Sequence, residues 1–556
     1  MRRALSFLRN MAVIAIFFGV VAAVAFGTWR FMPEESRVLF RDPASVARSA
    51  ERGVRSGPAN PLASFGEWLT EKMAELQDTS DVLVTADGTS GGIAPLPGWT
   101  STDISRFFGA TESIWQPRRA KLAGVRWSRV VFFWSEVQPR QRDWRAQHYL
   151  PDRMIKRERD NGVEVVGLLM NTPTWAASDP RHTVRSVPSG LDRPVDDPQN
   201  VWASYVRRMA YDYRGRIDTW VIWNEPDIRP QDDNALYHSW AGDAGDYARL
   251  LRVAYLAAKQ GNPNARVVFA ATTYWGDTNS GRPLFLERTL AALAENSESA
   301  KHHFYFDAVA LNLYTSPDDL GRVAGIYRSV LARFGLDAPL WITETNAIPY
   351  DDASKGLRRD QNGLRVTMDQ QASYVVQAFA MGMVAGFERM AFHSVMDRST
   401  DDEVWGLLRN DGTLRPAFVA YQTAARYFGG ASARFVGVER ADWRWPRGGY
   451  VPNWQFYLVA LDRPDGQRVS VLWNGDGVPL RITLPKRSEN AALLDKYGRP
   501  AALERDGDRW VITLPAATAH SPIDPEGYYF VGGDPLLLIE QGVAPDSPLD
   551  PPSLLG

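Results

Sequence analysis

Residues 221–227, "VIWNEPD", run three apolar, strand-favouring residues into an Asn–Glu pair and stop them with Pro226. A carboxylate at the end of a buried strand is costly unless it is paired or put to use. A second stretch, "LWITETN" at 340–346, has the same form, an apolar run ending in Thr343-Glu344-Thr345. Outward from these two, residues 100–428 keep one rhythm. Apolar runs recur at "FFGAT" (107–111), "VRWSRVVFFW" (125–134), "VEVVGLLM" (163–170), "IDTWVIW" (217–223), "ARVVFAA" (265–271), "FDAVALNLY" (306–314), "LWIT" (340–343) and "RMAFHS" (389–394). Between them lie amphipathic segments such as "DYARLLRVAYLAAKQ" (246–260) and "DQQASYVVQAFAMGMVAG" (369–386). Continuous apolar strands alternating with helices predict a parallel sheet covered on both faces. Eight of them predict an α/β fold of the (β/α)₈ type, a TIM barrel, rather than an open doubly wound sheet. No Gly-rich phosphate loop follows any of these strands, which also speaks against a nucleotide-binding sheet.

The rhythm changes after Gly429-Gly430. Short runs such as "WQFYLVALD", "RVSVLWNG", "LRITLP", "RWVITLP" and "PLLLIE", separated by Gly, Pro and Asp turns, predict a C-terminal antiparallel β-sandwich over 429–542. No cluster of aromatics on one alternating face marks it as a sugar platform, so it reads as support for the barrel. The Pro-rich end, 543–556, reads as a disordered tail. At the other end, Arg2, Arg3 and Arg9 precede an uncharged run of 19 residues, Met11–Trp29. Its length and flanks predict an N-terminal transmembrane helix within residues 1–30, with residues 31–99 as a juxtamembrane stalk and lead-in. The chain would then be a single-pass protein of the cell membrane with its catalytic domain outside the cytoplasm. Ala23-Val24-Ala25 also fits a signal-peptide cleavage site, which would make the protein secreted.

Composition narrows the chemistry. With 63 basic and 65 acidic residues in 556, the formal net charge is −2, and no global field recruits nucleic acid. The absence of cysteine excludes disulfides, thiolate metal sites, iron–sulfur clusters and a catalytic thiol. His302-His303, the one close histidine pair, sits in a polar approach to a strand and reads as exposed. No metal or cofactor is expected.

Active sites of such barrels form at the C-terminal ends of the strands. The polar residues there are Arg129 within the second strand, Glu136 after it, Asn171 after the third, and Asn224 and Glu225 after the fourth. Asn312 and Tyr314 end the sixth, Glu344 the seventh, and His393 with Asp397 the eighth. Each glutamate alone reads equally as a salt bridge at the barrel rim. Strands four and seven, however, stand near opposite sides of a small ring, so both side chains can point into one cleft. Two carboxyls flanking a cleft suit glycosidic bond cleavage, one donating a proton to the leaving oxygen and the other attacking or stabilising the sugar cation. A separation of ~5 Å between them would suit retention of configuration, and one of ~8 Å inversion.

"WNEPD" after a fourth strand, "ITETN" after a seventh, and "WGLLRNDGTLRPAFVAYQ" (405–422) in the eighth unit resemble the retaining glycoside hydrolases of clan A. The nearest group is the family 39-like xylosidases, iduronidases and exopolysaccharide hydrolases. The resemblance implies that Glu225 is the general acid/base and Glu344 the nucleophile. Asn224 would hydrogen-bond the sugar 2-hydroxyl, Tyr314 would steady the nucleophile, and Arg129 would neutralise and orient it. Asn312 stands where many members carry His, and His393 where many carry Trp. Trp134, Trp175 and Trp405, with Trp223 and Trp275, lie near strand ends where an indole could stack on sugar; rim packing is the alternative for each. The partner implied is an oligo- or polysaccharide of the cell envelope or its surroundings. A non-catalytic glycan-binding or polysaccharide-assembly protein on the same barrel is the alternative.

Overall fold

The structure, a computed structural model, describes residues 105–229, 238–352, 364–397, 404–439, 454–520, 529–544 and 547–555. The predicted membrane helix and stalk lie outside the described residues. Among the described residues, no helix is long and apolar enough to cross a membrane.

Eight parallel strands close into a barrel in the order β1-β8-β7-β6-β5-β4-β3-β2. They are β1 Phe108–Ala110, β2 Trp127–Phe133, β3 Glu164–Met170, β4 Thr219–Ile222, β5 Arg266–Thr272, β6 Ala308–Asn312, β7 Leu340–Thr345 and β8 Arg389–Phe392. One principal helix follows each strand: α1 Pro117–Ala123, α2 Asp152–Asp160, α3 Val201–Asp212, α4 Ala244–Gly261, α5 Phe285–Ala294, α6 Asp319–Arg333, α7 Met368–Val384 and α8 Pro416–Phe428. Their starts follow from sequence. Asp243 and Thr367 form capping boxes with Asp246 and Gln370, satisfying backbone donors that open α4 and α7. Pro117 and Pro416 open α1 and α8, where a missing N–H costs nothing.

The strands read as unbroken apolar runs because both faces are covered. Ile217 and residues 219–223 are all buried, Trp220 to Trp223 fully, and only Asn224 and Glu225 at the end of the run are half-buried. In β3, Gly167 lies beside Trp220 of β4, and a Cβ there would come within 2.3 Å of the indole. The N-terminal mouth is closed by a bidentate pair, Arg389 of β8 on Glu164 of β3 at 3.0 and 3.1 Å, with the guanidinium over the Trp341 ring. The C-terminal mouth carries Glu225 and Glu344.

The sandwich begins at Ser432, four residues after α8. One sheet has five strands in the order β9-β10-β11-β16-β13, and the other four in the order β14-β15-β12-β17. These are β9 Ser432–Glu439, β10 Trp454–Asp462, β11 Gln467–Asn474, β12 Leu480–Pro485, β13 Ala491–Leu494, β14 Glu504–Asp506, β15 Arg509–Leu514, β16 Leu536–Gln541 and β17 Ser553–Leu555. Period-two alternation assigns the two faces of β10. Phe456, Leu458 and Ala460 pack between the sheets, while Tyr457, Val459 and Leu461 join the barrel's core.

Polar contacts fix the same junction. Lys496 of the sandwich, almost fully buried, reaches Asp369, Ser373 and Asp534 at 2.7–3.0 Å. Gln377 of α7 exchanges hydrogen bonds with the Gly532–Gly533 backbone at 3.0 and 2.9 Å. Tyr457 donates to Asp318 at 2.5 Å, just before α6.

The tail differs from expectation. Residues 553–555, read as disordered, form β17 and pair antiparallel with β12. Without them β12 would leave one row of backbone donors and acceptors open at a sheet edge.

Candidate active site

β4 ends at Ile222, and the chain then leaves the strand sharply. Trp223 and Glu225 adopt left-handed backbone conformations, with φ of 74° and 49°. Such conformations cost about 1–3 kcal/mol each in a non-glycine residue and persist only where the surroundings enforce them. Here the Glu225 N–H donates to the Ala271 carbonyl at 2.7 Å, stitching the turn to β5. Asp227, fully buried, accepts from the backbone N–H and hydroxyl of Thr273 at 2.8 and 2.7 Å. Burial pushes the Asp227 carboxyl up to about 6 against the pull of those bonds.

β7 reaches the mouth through a bulge. Leu311 pairs with Ile342 but Asn312 pairs with Glu344, so Thr343 is the extra residue. A bulge re-aims the side chains that follow it. Thr343 uses its place there: its hydroxyl donates to the Asn312 side-chain oxygen at 2.8 Å. That bond fixes which way the Asn312 amide faces, turning its NH₂ to Glu225 Oε1 at 2.7 Å and to Asn224 Oδ1 at 3.2 Å.

Glu344 has a different set of partners. Arg129, rising from β2, forms a short ion pair with Oε1, and the Tyr314 hydroxyl donates to Oε2 at 2.7 Å. His393 Nδ1 lies 4.0 Å from Oε2 and 2.8 Å from the Thr111 hydroxyl. Arg129 also donates to Asn224 Oδ1 at 3.3 Å. Glu344, Arg129, Asn224, Asn312 and Glu225 thus form one continuous polar chain across the mouth.

The partners divide the two carboxyls electrostatically. Burial would raise both. At Glu344 the charge of Arg129, with His393 and the Tyr314 hydroxyl, overcomes burial and holds the carboxyl down at about 2. At Glu225 burial and the neighbouring Glu344 charge win over the Asn312 hydrogen bond, and the carboxyl rises to about 8. Near neutral pH one is ionised and the other holds a proton.

Trp405 completes one wall. Its ring meets Tyr314 and His393 edge-on, at centroid distances of 5.1 and 5.5 Å. Its backbone is held from behind: the N–H donates to Asp397 at 2.9 Å, and the carbonyl accepts from Asn346 at 2.7 Å. Asp397 is itself paired with fully buried Arg415.

Of the residues singled out by sequence, Arg129, Asn224, Glu225, Asn312, Tyr314 and Glu344 meet in one network, with His393 and Trp405 beside it. Trp134 does not reach the mouth. It is fully buried, stacked on Tyr205 at 4.8 Å, with its N–H on Gln138, so no face is left for a sugar. Trp223 is equally buried. Trp175 is half-buried against the edge of Trp134, its N–H on the Gln138 carbonyl at 2.9 Å. Asn171, with φ of 68°, is half-buried after β3, its carbonyl accepting from Ser135. Neither of these two bonds either glutamate.

No protein-family model and no curated protein matches the sequence. Among solved structures, the chain is similar to a family 39 glycoside hydrolase from the gut symbiont Bacteroides cellulosilyticus WH2, at 15% identity and a TM-score of 0.56 over 80% of this chain and 83% of that one. It is also similar to the catalytic domain of a family 30 xylanase C from Talaromyces cellulolyticus, at 13% identity and a TM-score of 0.50 over 78% of this chain and 96% of that one. The fold is that of the clan A glycoside hydrolases.

Within this clan A fold, several residues of the site escaped the sequence reading. Thr343, Thr111, Asn346 and Thr273 each hold a site residue through one hydroxyl or amide. Thr343 could have been marked by its position beside Glu344. Asn346 likewise stands two residues beyond Glu344, whereas Thr111 and Thr273 come from separate parts of the chain, and only closure of the barrel brings them to the site.

Proposed function

We propose that the chain is a retaining glycoside hydrolase working by double displacement. The observation that carries this reading is the division of the two carboxyls, with Arg129 and Tyr314 on Glu344 and a half-buried Glu225 of raised pKa opposite. Glu344 attacks the anomeric carbon while the glycosidic oxygen leaves with the proton of Glu225. The product of this step is a glycosyl ester on Glu344 and a free aglycone alcohol. Glu225, now a carboxylate, takes a proton from water as the water oxygen attacks the same carbon, releasing Glu344. Asn224, its amide oxygen occupied by Arg129 and Asn312, offers its NH₂ to the sugar 2-hydroxyl. Tyr314 and Arg129 keep Glu344 ionised, and Trp405 walls the sugar site.

The substrate we assign is a cell-envelope or extracellular polysaccharide. Support comes from the uncharged run Met11–Trp29 behind three arginines, which suits a membrane anchor for an exported barrel. Mass-spectrometric reading of the mature N-terminus tests the anchor, and a start at Phe26 would make the protein secreted instead. The catalytic reading is tested on a panel of aryl glycosides, following the first-formed sugar by NMR. Retained configuration is expected. Inverted configuration would sink the mechanism, and glycan binding without cleavage, unchanged in Glu344→Gln, would leave a binding protein.

A further inference from the structure

Glu225 sits on a backbone turn that is unfavourable by itself, and a strap from the far side of the β4–α4 connection braces it. The Ser239 hydroxyl donates to the Asn224 carbonyl at 2.5 Å and lies 3.3 Å from the Glu225 carbonyl. The Ser239 carbonyl accepts the indole N–H of Trp223 at 3.2 Å. One residue therefore touches all three members of the Trp223-Asn224-Glu225 turn, including both left-handed positions.

The strap is anchored on each side of Ser239. His238 Nε2 donates to the Trp240 carbonyl, which leaves Nδ1 as an acceptor, and Arg185 lies 3.3 Å from it. Burial and the nearby arginines lower the His238 pKa, in keeping with that neutral ring. The Trp240 ring packs edge-on against Trp223 at 4.8 Å, and Ala241 N–H donates to the Arg185 carbonyl at 2.9 Å. Ser239 is thus held by its neighbours and in turn holds the turn.

We propose that Ser239 is a positioning residue for the acid/base. It acts through the backbone of Asn224 and Glu225 and touches no substrate. The inference rests on the reading of Glu225 as acid/base, and it assigns the enforcement of that turn to a hydroxyl 14 residues further along the chain. A misplacement on the order of 1 Å at a reacting group can cost about 100-fold in rate. Removing the hydroxyl should therefore impair protonation of the leaving group more than attack by Glu344.

The test compares the unaltered chain with Ser239→Ala, Ser239→Thr and Glu225→Gln on a phenyl and a 2,4-dinitrophenyl glycoside of one sugar, the one the unaltered chain cleaves fastest. Phenol is a poor leaving group and needs the proton; dinitrophenolate does not. Ser239→Ala is expected to lower kcat/KM on the phenyl glycoside by roughly 10- to 100-fold, with the loss in kcat. The first step on the dinitrophenyl glycoside should fall by less than about 3-fold, and Ser239→Thr should restore the phenyl rate. If Glu225→Gln shows this leaving-group dependence and folded Ser239→Ala loses both substrates equally, or neither, the inference on Ser239 is overturned while the acid/base reading stands. If Glu225→Gln shows no such dependence, or the unaltered chain is inert to the panel, the acid/base reading falls and this inference with it. Should Ser239→Ala fail to fold, a folded Ser239→Thr that is as impaired as Glu225→Gln on the phenyl glycoside would also overturn it, and one with an unaltered profile would support it.

Discussion

Asn312 and Glu344 stand side by side in register on β6 and β7, yet Asn312 gives its amide to the other carboxyl, Glu225, at 2.7 Å. Thr343 imposes that choice by occupying the amide oxygen. The bond stabilises the ionised form of Glu225 and so limits a rise that burial and Glu344 drive. An acid that must carry its proton loses activity as pH rises through its pKa. The alkaline limb of kcat/KM is therefore expected near 8, and Asn312→Ala should move it to higher pH. A limb that stays in place or moves down would contradict the assignment, and Glu225→Gln should lack this limb altogether.

The two glutamates are expected to fail differently. Glu344→Ala removes the proposed nucleophile and should abolish turnover on every substrate. Glu225→Ala should leave the first step intact on dinitrophenyl glycosides and slow release of the glycosyl enzyme, because no base activates water. Added azide needs no base and should restore turnover, giving the glycosyl azide of retained configuration. Azide rescue of Glu344→Ala instead, with inversion at Glu225→Ala, would exchange the roles.

Trp134 and Trp405 separate structure from binding. Trp134→Ala should destabilise the fold by about 3–5 kcal/mol, as expected for a large buried ring, and folded protein should keep its KM. Trp405→Ala, at a half-buried position beside Tyr314, should raise KM with a smaller fall in melting temperature. Thermal denaturation and initial-rate kinetics on the two variants read both effects, and a KM change confined to Trp134→Ala would contradict the placement.

Asp318, under the Tyr457 hydroxyl at the junction with the sandwich, is pushed up to about 7 by burial. The unfolded carboxyl releases its proton near its ordinary value of 3.8, while the folded one keeps it until about 7. The fold therefore loses stability as pH rises across that interval, and the deficit remains at higher pH. Asp318→Asn keeps an acceptor for Tyr457 without the charge. It should raise the melting temperature at pH 8 and have little effect near pH 4. A lower melting temperature at pH 8 would show that the carboxylate is stabilising there.

The sequence by itself determined the eight-strand periodicity, the change to short antiparallel strands after Gly430, and the placing of Glu225 and Glu344 at strand ends. Apolar runs and capping residues are local signals, and burial on both faces leaves them little freedom. Only the tertiary structure decided the rest. The bulge at Thr343, the left-handed turn at Trp223 and Glu225, and the pairing of residues 553–555 with β12 depend on partners far away in the chain. So does the fate of each tryptophan: Trp134 and Trp405 both follow strand ends, but Trp134 turns into the space between β2 and α3, whereas Asp397 and Asn346 hold Trp405 at the mouth. An indole's preference for burial is the same in both cases, and what differs is the cavity that barrel closure leaves beside it.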